Sequence, residues 1–399
     1  ELLGEDFSFQ LLPEDWAHFE PMMRNAIHRL PVLEDAPIKM LLNGPESFTP
    51  DGNFLLGEVS NQKGLFINAG LNSVGIASAG GAGMAISKMI INGRTPFDLH
   101  ELDPKRFDPV FCDINILSKR VPEVLGKHYE ISYPGRQWNS SRNLKQMPLH
   151  NKWKKMGAYF GQINAVERPL FFNLKSNPKL TFGRPDWFNI VKDEVHHTQK
   201  SAGIIDLSSF GKIEIKGPDS ISFIKSIFTA NFDKPDGSII YSLILNEEGG
   251  IESDLVVFKI DDFNFRIQIS ISIFYKIKNY FYDKLNPNFE VELNDITDQY
   301  SVIGVFGPNT TSIVKEIPGL EWINDLDYFK FGFGKFLDID VMVARLSFLG
   351  EAGWELSCRK NDVEKIVNLL VKKNIKPIGL FAQTSMRIEK KFLSYGHDF

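Results

Sequence analysis

Apolar residues recur at helical spacing in Trp16–Leu30, where Phe19, Met22, Met23, Ile27 and Leu30 share one side of a 3.6-residue repeat. This predicts an amphipathic helix. An apolar run from Lys39 leads into the Gly-, Pro- and Asp-rich stretch Asn43–Gly52, which predicts a strand entering a turn. Leu65-Phe-Ile-Asn-Ala69 reads as a buried strand, Gly70–Ser78 as a loop, and Gly80-Gly-Ala-Gly83 as the opening of a helix that reaches about Asn92. Gly93 is a good stop for that helix, and Pro96 follows. Residues 106 to 170 carry little sustained periodicity and predict a connector with one short helix around Pro148–Gly157.

From Trp187 the pattern changes. Trp187–Ala202 is amphipathic at helical spacing, and short apolar runs then alternate with helical segments. Strands are predicted at Ile204–Asp206, Lys212–Lys216, Ile239–Leu245, Ile251–Lys259, Phe263–Ser270, Phe289–Leu293, Val302–Phe306 and Val341–Phe348. Helices are predicted at Ser220–Phe228, Tyr275–Leu285, after Gly307, at Asp362–Lys373 and at Phe381–Lys391. Such mixing implies an α+β multidomain architecture. The blocks are residues 1–105, 106–170 and 171–399, in keeping with 399 residues and about 150 per domain.

Composition narrows the function classes. With 43% hydrophobic and 24% charged residues, the chain is globular rather than disordered, collagen-like or coiled-coil. A net charge of −5 argues against a nucleic-acid binder, which needs a basic face. The two cysteines, Cys112 and Cys358, are too few for a disulfide framework; they read as buried thiols in a reducing compartment. His196 and His197 are adjacent on a helix and point to different faces, so no metal site is expected. No apolar stretch approaches the ~18 residues of a membrane span. A first residue other than Met and the abrupt ending at Tyr395–Phe399 read as an excerpt of a longer polypeptide.

Four stretches carry candidate chemistry. Gly70-Leu-Asn-Ser-Val-Gly-Ile-Ala-Ser-Ala-Gly-Gly-Ala-Gly83 joins a strand to a helix. Its glycines allow a ligand close to the backbone, and a helix N-terminus offers N–H groups to an acceptor; tight helix-on-sheet packing explains it equally well. In Tyr241–Asp254, a hairpin places Asp254 before the apolar Leu255-Val-Val-Phe258, a setting that desolvates an acid and raises its pKa. An acid satisfied by turn amides is the commoner outcome. Arg345–Glu355 is a strand and turn offering Glu351 and Glu355, and Ser385-Met-Arg-Ile-Glu-Lys390 lies on a helix with Tyr395-Gly-His-Asp398 behind it.

These stretches, together and in order, resemble the dimethylglycine and sarcosine dehydrogenase family, FAD oxidoreductases fused to a folate-binding domain like the glycine-cleavage aminomethyltransferase. Asn43–Gly52 and Gly64–Gly83 resemble the closing segment of the FAD domain. Phe182–Phe188, Ile205–Lys212, Asn246–Asp254, Gly350–Glu355 and Ser385–Glu389 resemble the folate domain, and Val166-Glu-Arg-Pro169 the linker between them. The blocks then become the C-terminal segment of an FAD domain (1–105), a connector domain (106–170) and a C-terminally truncated folate domain (171–399).

The resemblance implies FAD and tetrahydrofolate as cofactors. Asn72, Ser73, Gly75 and Gly83 would lie beside the flavin. Asp254 would be the acid facing the folate N10 region, Tyr241 would line the pterin site, Glu355 would bind the pterin's donor edge and Arg387 would support the site from behind. The implied activity is oxidative demethylation of dimethylglycine or sarcosine, with the one-carbon unit passed to tetrahydrofolate. Electrons would pass to an electron-transfer flavoprotein or to oxygen, in a bacterial cytoplasm or a mitochondrial matrix, with no membrane or nucleic-acid partner. The alternatives are a non-catalytic relative similar to the pyruvate dehydrogenase phosphatase regulatory subunit and a folate-dependent methyltransferase without oxidation. The chain departs from the aminomethyltransferase pattern at Ala382-Gln383-Thr384, at Gln268-Ile-Ser270 and at Lys391, where glycine is usual.

Overall fold

The computed structural model describes residues 6–60, 62–173 and 177–399. Helix α1 (Trp16–Arg29) starts at Asp15, whose side chain accepts from the His18 N–H, and buries none of its residues. Strands β1 (Leu55–Glu58) and β2 (Phe66–Ala69) form an antiparallel pair. The second of these is only half-buried, not the buried strand its apolar run predicts, because among the described residues the ribbon has two strands only. Helix α2 (Gly75–Asn92) follows and ends at Gly93 with φ 70°, as the glycine predicts. It buries only Ala82, Ala85 and Met89, and the two alanines pack against Leu56, Phe54 and Leu99.

The predicted connector is more structured than its pattern suggests. It contains α3 (Ile114–Lys127), which has Pro122 inside it, then β3 (Lys145–Gln146), α4 (His150–Lys155), β4 (Ala158–Ile163) and β5 (Val166–Phe172). The three strands make one sheet with β5 in the middle. Side chains tie the early chain to later helices. Arg106 pairs with Asp51 at 2.8 Å, and Ser60 donates to Asn279 at 2.9 Å. Asp108 accepts from Tyr275 and pairs with Lys145, each at 2.6 Å.

The remainder holds α5 (Phe188–Lys200), β6 (Gly203–Asp206), β7 (Gly211–Lys216), α6 (Ser220–Ile227), β8 (Ser238–Leu245), β9 (Ile251–Asp261) and β10 (Asn264–Ile269). After these come α7 (Phe274–Lys284), β11 (Glu292–Asp295), β12 (Tyr300–Phe306), α8 (Thr310–Lys315), β13 (Phe331–Phe336) and β14 (Ile339–Ala344). The chain closes with β15 (Gly353–Arg359), α9 (Val363–Lys372), β16 (Lys376–Pro377) and α10 (Leu380–Glu389). Strands β11-β7-β10-β9-β8 form a five-stranded sheet, and β13-β14-β15-β12-β6-β16 a six-stranded one. All pairings in both are antiparallel except β16 on β6.

Each sheet buries both faces. One face of the five-stranded sheet sends Ile213, Ile240, Val257 and Ile267 against α6 and α7, through Phe223, Ile224, Ile277 and Phe281. Gly211 is required there, since a Cβ would lie 1.9 Å from the Phe274 ring. The opposite face meets the six-stranded sheet, with Ile239 and Phe258 packed on Phe331, Met342 and Ala344. The far face of the six-stranded sheet packs Val305, Val343, Trp354 and Leu356 on α9. Its near face also receives α5 and α10, through Val191, Val195, Ala382 and Met386. Cys358 is buried as predicted, and burial pushes its thiol up to about 12; Cys112, predicted buried, is exposed at the end of the 3-10 turn Pro109–Cys112 before α3. Among the described residues, no helix is long and apolar enough to cross a membrane.

Two details set local stability. Glu194 of α5 is buried and accepts the Phe172 N–H at 2.7 Å and the Gly379 N–H at 2.8 Å, so it clasps β5, α5 and the start of α10. Burial raises its carboxyl to about 7. Helix α10 ends in a Schellman turn: the Lys391 N–H donates to Ile388 O at 3.0 Å and the Phe392 N–H to Arg387 O at 2.9 Å. Lys391 therefore occupies the left-handed position, at φ 60°, where glycine is favoured. Lys391→Gly is expected to stabilise the chain by about 0.5–1 kcal/mol in urea denaturation. Glu194→Ala is expected to cost about 2–5 kcal/mol in the same assay, because two buried N–H groups lose their acceptor.

Candidate functional site

Of the side chains predicted to meet a folate, Tyr241, Asp254 and Glu355 stand on strands of the two facing sheets, and Arg387 stands on α10. Antiparallel registry pairs Tyr241 with Val256, Val256 with Gln268, and Gln268 with Lys212. Directly opposed residues share a face, so this row runs across the five-stranded sheet on the side that meets the other sheet. Asp254 lies two residues before Val256, on the same face. The Tyr241 hydroxyl donates to Asp254 Oδ2 at 3.1 Å.

Asp254 is half-buried at the turn end of β9. Desolvation holds its carboxyl above the usual range, opposed by the Tyr241 hydroxyl and by the backbone N–H of Tyr395. The sequence anticipates the desolvation but not the hydroxyl that Tyr241 donates from the neighbouring strand. Burial, with the Asp254 carboxylate beside it, pushes the Tyr241 phenol up, yet its ring stays 49% exposed.

Glu355 reaches the same space from the other sheet. It is 7% exposed, and Gln268 Nε2 donates to its Oε2 at 3.2 Å. Burial raises its carboxyl to about 7. Its cross-strand neighbours are Ala344 and Gly304, neither of which brings a polar side chain. Gln268, met in the sequence only as a departure from a pattern, is thus the residue that orients Glu355. Tyr241 on β8 and Gln268 on β10 are two strand spacings apart, about 10 Å, and Asp254 is on the intervening strand, two residues from Val256. Between Tyr241 and Gln268 lies Val256. Glu351 does not join them; it pairs with Lys390 at 3.6 Å.

Arg387 is buried on α10 and is bonded to its own C-terminal loop. Its Nη1 donates to Phe392 O at 2.8 Å and to Asp398 Oδ2 at 2.5 Å.

The glycine-rich stretch differs from its prediction. Helix α2 begins at Gly75, so Gly80, Gly81 and Gly83 stand inside the helix rather than at its opening, and a Cβ at Gly83 would meet nothing within 4 Å. The turn that opens it is made by Asn72 and Ser73, at φ 47° and 63°. Asn72 is buried and spent on the protein itself. It accepts the Thr49 N–H at 2.9 Å and donates to Gly70 O at 2.5 Å, fastening the 47–53 loop to the 70–74 loop. It presents no free group to a ligand. Ser73 is exposed and bonded to Glu46. Val74 caps α2 without a side-chain bond, so the first N–H groups of α2 at Gly75 have no side-chain acceptor there.

Comparison with known proteins accounts for this arrangement. Residues 149–399 match the family described as the GCVT N-terminal domain, 92–146 the FAD dependent oxidoreductase central domain, and 2–89 the FAD dependent oxidoreductase family. The chain is 31% identical to a Paenarthrobacter nicotinovorans protein named 4-methylaminobutanoate oxidase (formaldehyde-forming), covering 96% of this chain and 48% of the relative. It is 30% identical to the mouse pyruvate dehydrogenase phosphatase regulatory subunit (98% and 46% covered). It is 28% identical to human sarcosine dehydrogenase (100% and 48% covered). The chain thus spans about half the length of these relatives. Among solved structures, the glycine cleavage system aminomethyltransferase T from Bartonella henselae shares the fold, with a TM-score of 0.55 at 23% identity over 64% of this chain and 65% of that one. The two-sheet body with its inward carboxylates belongs to the GCVT N-terminal domain family, here carried behind segments of an FAD dependent oxidoreductase.

Proposed function

We propose that this chain is the half of a flavin-linked N-methyl amine demethylase that receives the one-carbon unit on tetrahydrofolate. The observation that carries the reading is the Tyr241–Asp254 pair, on the same inter-sheet face as the Gln268–Glu355 pair. A reduced pteridine with its methylene bridge matches that span. Its 2-amino-4-oxo edge offers two parallel N–H groups, which a carboxylate such as Glu355 accepts together. The folate N10 then falls near Asp254.

In this reading one folate nitrogen adds to the iminium carbon left by amine oxidation, Asp254 takes the proton that nitrogen loses and returns it to the departing demethylated amine as its C–N bond breaks, and the second folate nitrogen closes 5,10-methylenetetrahydrofolate with loss of its own proton. Tyr241 orients the Asp254 carboxylate and lends its ring to the ligand. Glu355, set by Gln268, fixes the pteridine, and Arg387 acts at one remove. FAD, when bound, supplies the oxidation by accepting hydride from the N-methyl carbon. On this chain the first N–H groups of α2 at Gly75, with Ser73 beside them, suit the flavin's carbonyl edge. The substrate class is an N-methylated amino acid such as dimethylglycine or sarcosine, with an electron-transfer flavoprotein or oxygen taking the electrons. Holding both reactions in one protein keeps the one-carbon unit near its acceptor.

In the full-length protein, Asp254→Ala is expected to lower folate-coupled one-carbon transfer by 10²–10⁴-fold while sparing amine oxidation, measured in parallel. Equal loss of both activities refutes separate sites. Binding of 5-formyltetrahydrofolate, followed by thermal shift, tests the ligand directly. A carboxyl at about 7 is neutral below that pH and must ionise to accept two N–H groups. Affinity is therefore expected to fall up to tenfold per pH unit below about 7. Glu355→Gln is expected to weaken binding and flatten that dependence. No shift with saturating ligand at any pH favours the non-catalytic regulatory relative instead.

A further inference from the structure

Two rows of opposed residues frame the gap between the sheets. In the six-stranded sheet, Ile205 on β6 stands opposite Gly304 on β12, and Gly304 opposite Glu355 on β15. In the five-stranded sheet, Lys212 on β7 stands opposite Gln268 on β10. The first members of the two rows, Ile205 and Lys212, are joined by the short crossing 206–211, which carries the chain from one sheet to the other. The seat of that crossing sets how one row stands against the other. Gln268 and Glu355, one from each row, meet across the gap at 3.2 Å.

Lys212 holds the crossing. It is 1% exposed, and its Nζ donates to Ser208 O at 2.9 Å and to Phe210 O at 2.8 Å, two carbonyls of the crossing itself. Other bonds fasten the same residues. The Phe210 N–H closes the turn on Leu207 O at 3.2 Å, and the Leu207 N–H donates to Val302 O at 2.9 Å. The Ser208 hydroxyl accepts the Val302 N–H at 3.1 Å, so the crossing is fixed to β12 two residues before Gly304. Asp206 takes the Ser208 N–H at 3.0 Å and the Trp153 indole N–H at 2.8 Å. An ammonium brought out of water onto neutral carbonyls is a poor stabiliser, and an apolar side chain of that length would fill the space more favourably. What the ammonium adds is direction, since it ties a strand of one sheet to the turn that leads in from the other.

We infer that Lys212 is a positioning residue for the Gln268–Glu355 pair: by holding the 207–210 turn it fixes the offset between the two rows and keeps Gln268 within reach of Glu355. The inference rests on the proposed role of Glu355 in binding the pteridine. Lys212 touches no ligand and acts only through Gln268. The other groups around Glu355 leave that role to Gln268. Ala344 and Gly304 beside it carry no charge, Arg266 on β10 is paired with Glu214 at 3.5 Å, and Arg387 of α10 is engaged with Asp398. Losing a donor to an ionised carboxylate disfavours the ionised form.

The test uses the full-length protein. Lys212→Met is expected to weaken 5-formyltetrahydrofolate binding about tenfold. It is also expected to move the pH below which affinity falls upward by on the order of one unit, because the Glu355 carboxyl has lost its donor. When Gln268→Ala is already present, both effects of Lys212→Met are expected to vanish, since the bond it maintains is gone. Ser208→Ala, which releases the crossing from β12 and leaves the ammonium in place, is expected to give a smaller change of the same kind; it decides the matter if Lys212→Met does not fold. The same fall in both backgrounds, or an unmoved pH profile in the folded variant, assigns Lys212 to stability alone and overturns the inference. A crystal structure of the ligand-free Lys212→Met protein tests it without folate. Gln268 and Glu355 are expected to stand beyond hydrogen-bonding distance there, and a retained bond overturns the inference. If the unaltered protein takes up no folate at any pH, the functional reading fails, and the crystal structure still decides whether Lys212 sets the pair.

Discussion

Packing two antiparallel sheets face to face forces a choice at every inward position. A side chain there must be apolar, or it must find a polar partner across the gap, because an unpaired buried polar group is costly. Most of the gap is closed the first way, by Ile239, Phe258, Phe331 and Met342. At Gln268 and Glu355 it is closed the second way, and only for one carboxylate oxygen. The strand alternation that buries Val257 and Ile267 against helices on one side obliges Val256, Gln268 and Tyr241 to face the other sheet. The candidate chemistry is thereby tied to the same register that builds the core, and a one-residue slip would turn it all to the wrong side.

Much of this was legible where alternation was strong. Strands β7 to β10 and helices α5, α6, α7, α9 and α10 fall where their periodicity predicts, because each buries one face against a continuous core. The misses have physical causes. Helix α3 was hidden by Pro122 and by polar residues along its exposed side. Strand β5 is buried at nearly every position and so shows no alternation. Strand β13, Phe331-Gly-Phe-Gly-Lys-Phe336, lacks β-branched residues because its glycines make room for the Trp322 ring; a Cβ at Gly334 would lie 2.6 Å from it. The glycine-rich opening of α2 misled in the other direction. The turn there is made by Asn72 and Ser73, not by Gly80–Gly83.

The candidate site was legible as residue types and less so as contacts. A hairpin acid before an apolar run points to a desolvated carboxyl, and Asp254 is one. Nothing in the sequence spacing pairs Gln268 with Glu355, since their contact joins two sheets across 87 residues of chain. The Lys391 departure, by contrast, becomes intelligible only from backbone geometry: the turn needs a left-handed residue there, and the loop bearing Tyr395 and Asp398 begins one position later.

Glu194 has a kinetic consequence. Its two acceptor bonds join segments 22 and 185 residues away in sequence. Bringing the more distant partner into place requires closing a very long loop, which slows assembly relative to local hairpins. Closing the loop at the Gly379 end therefore costs about 2 kcal/mol more chain entropy than closing the one at the Phe172 end. The clasp thus sets one carboxyl group against the entropy of two loops of very different length, and both are held closed by the same buried side chain.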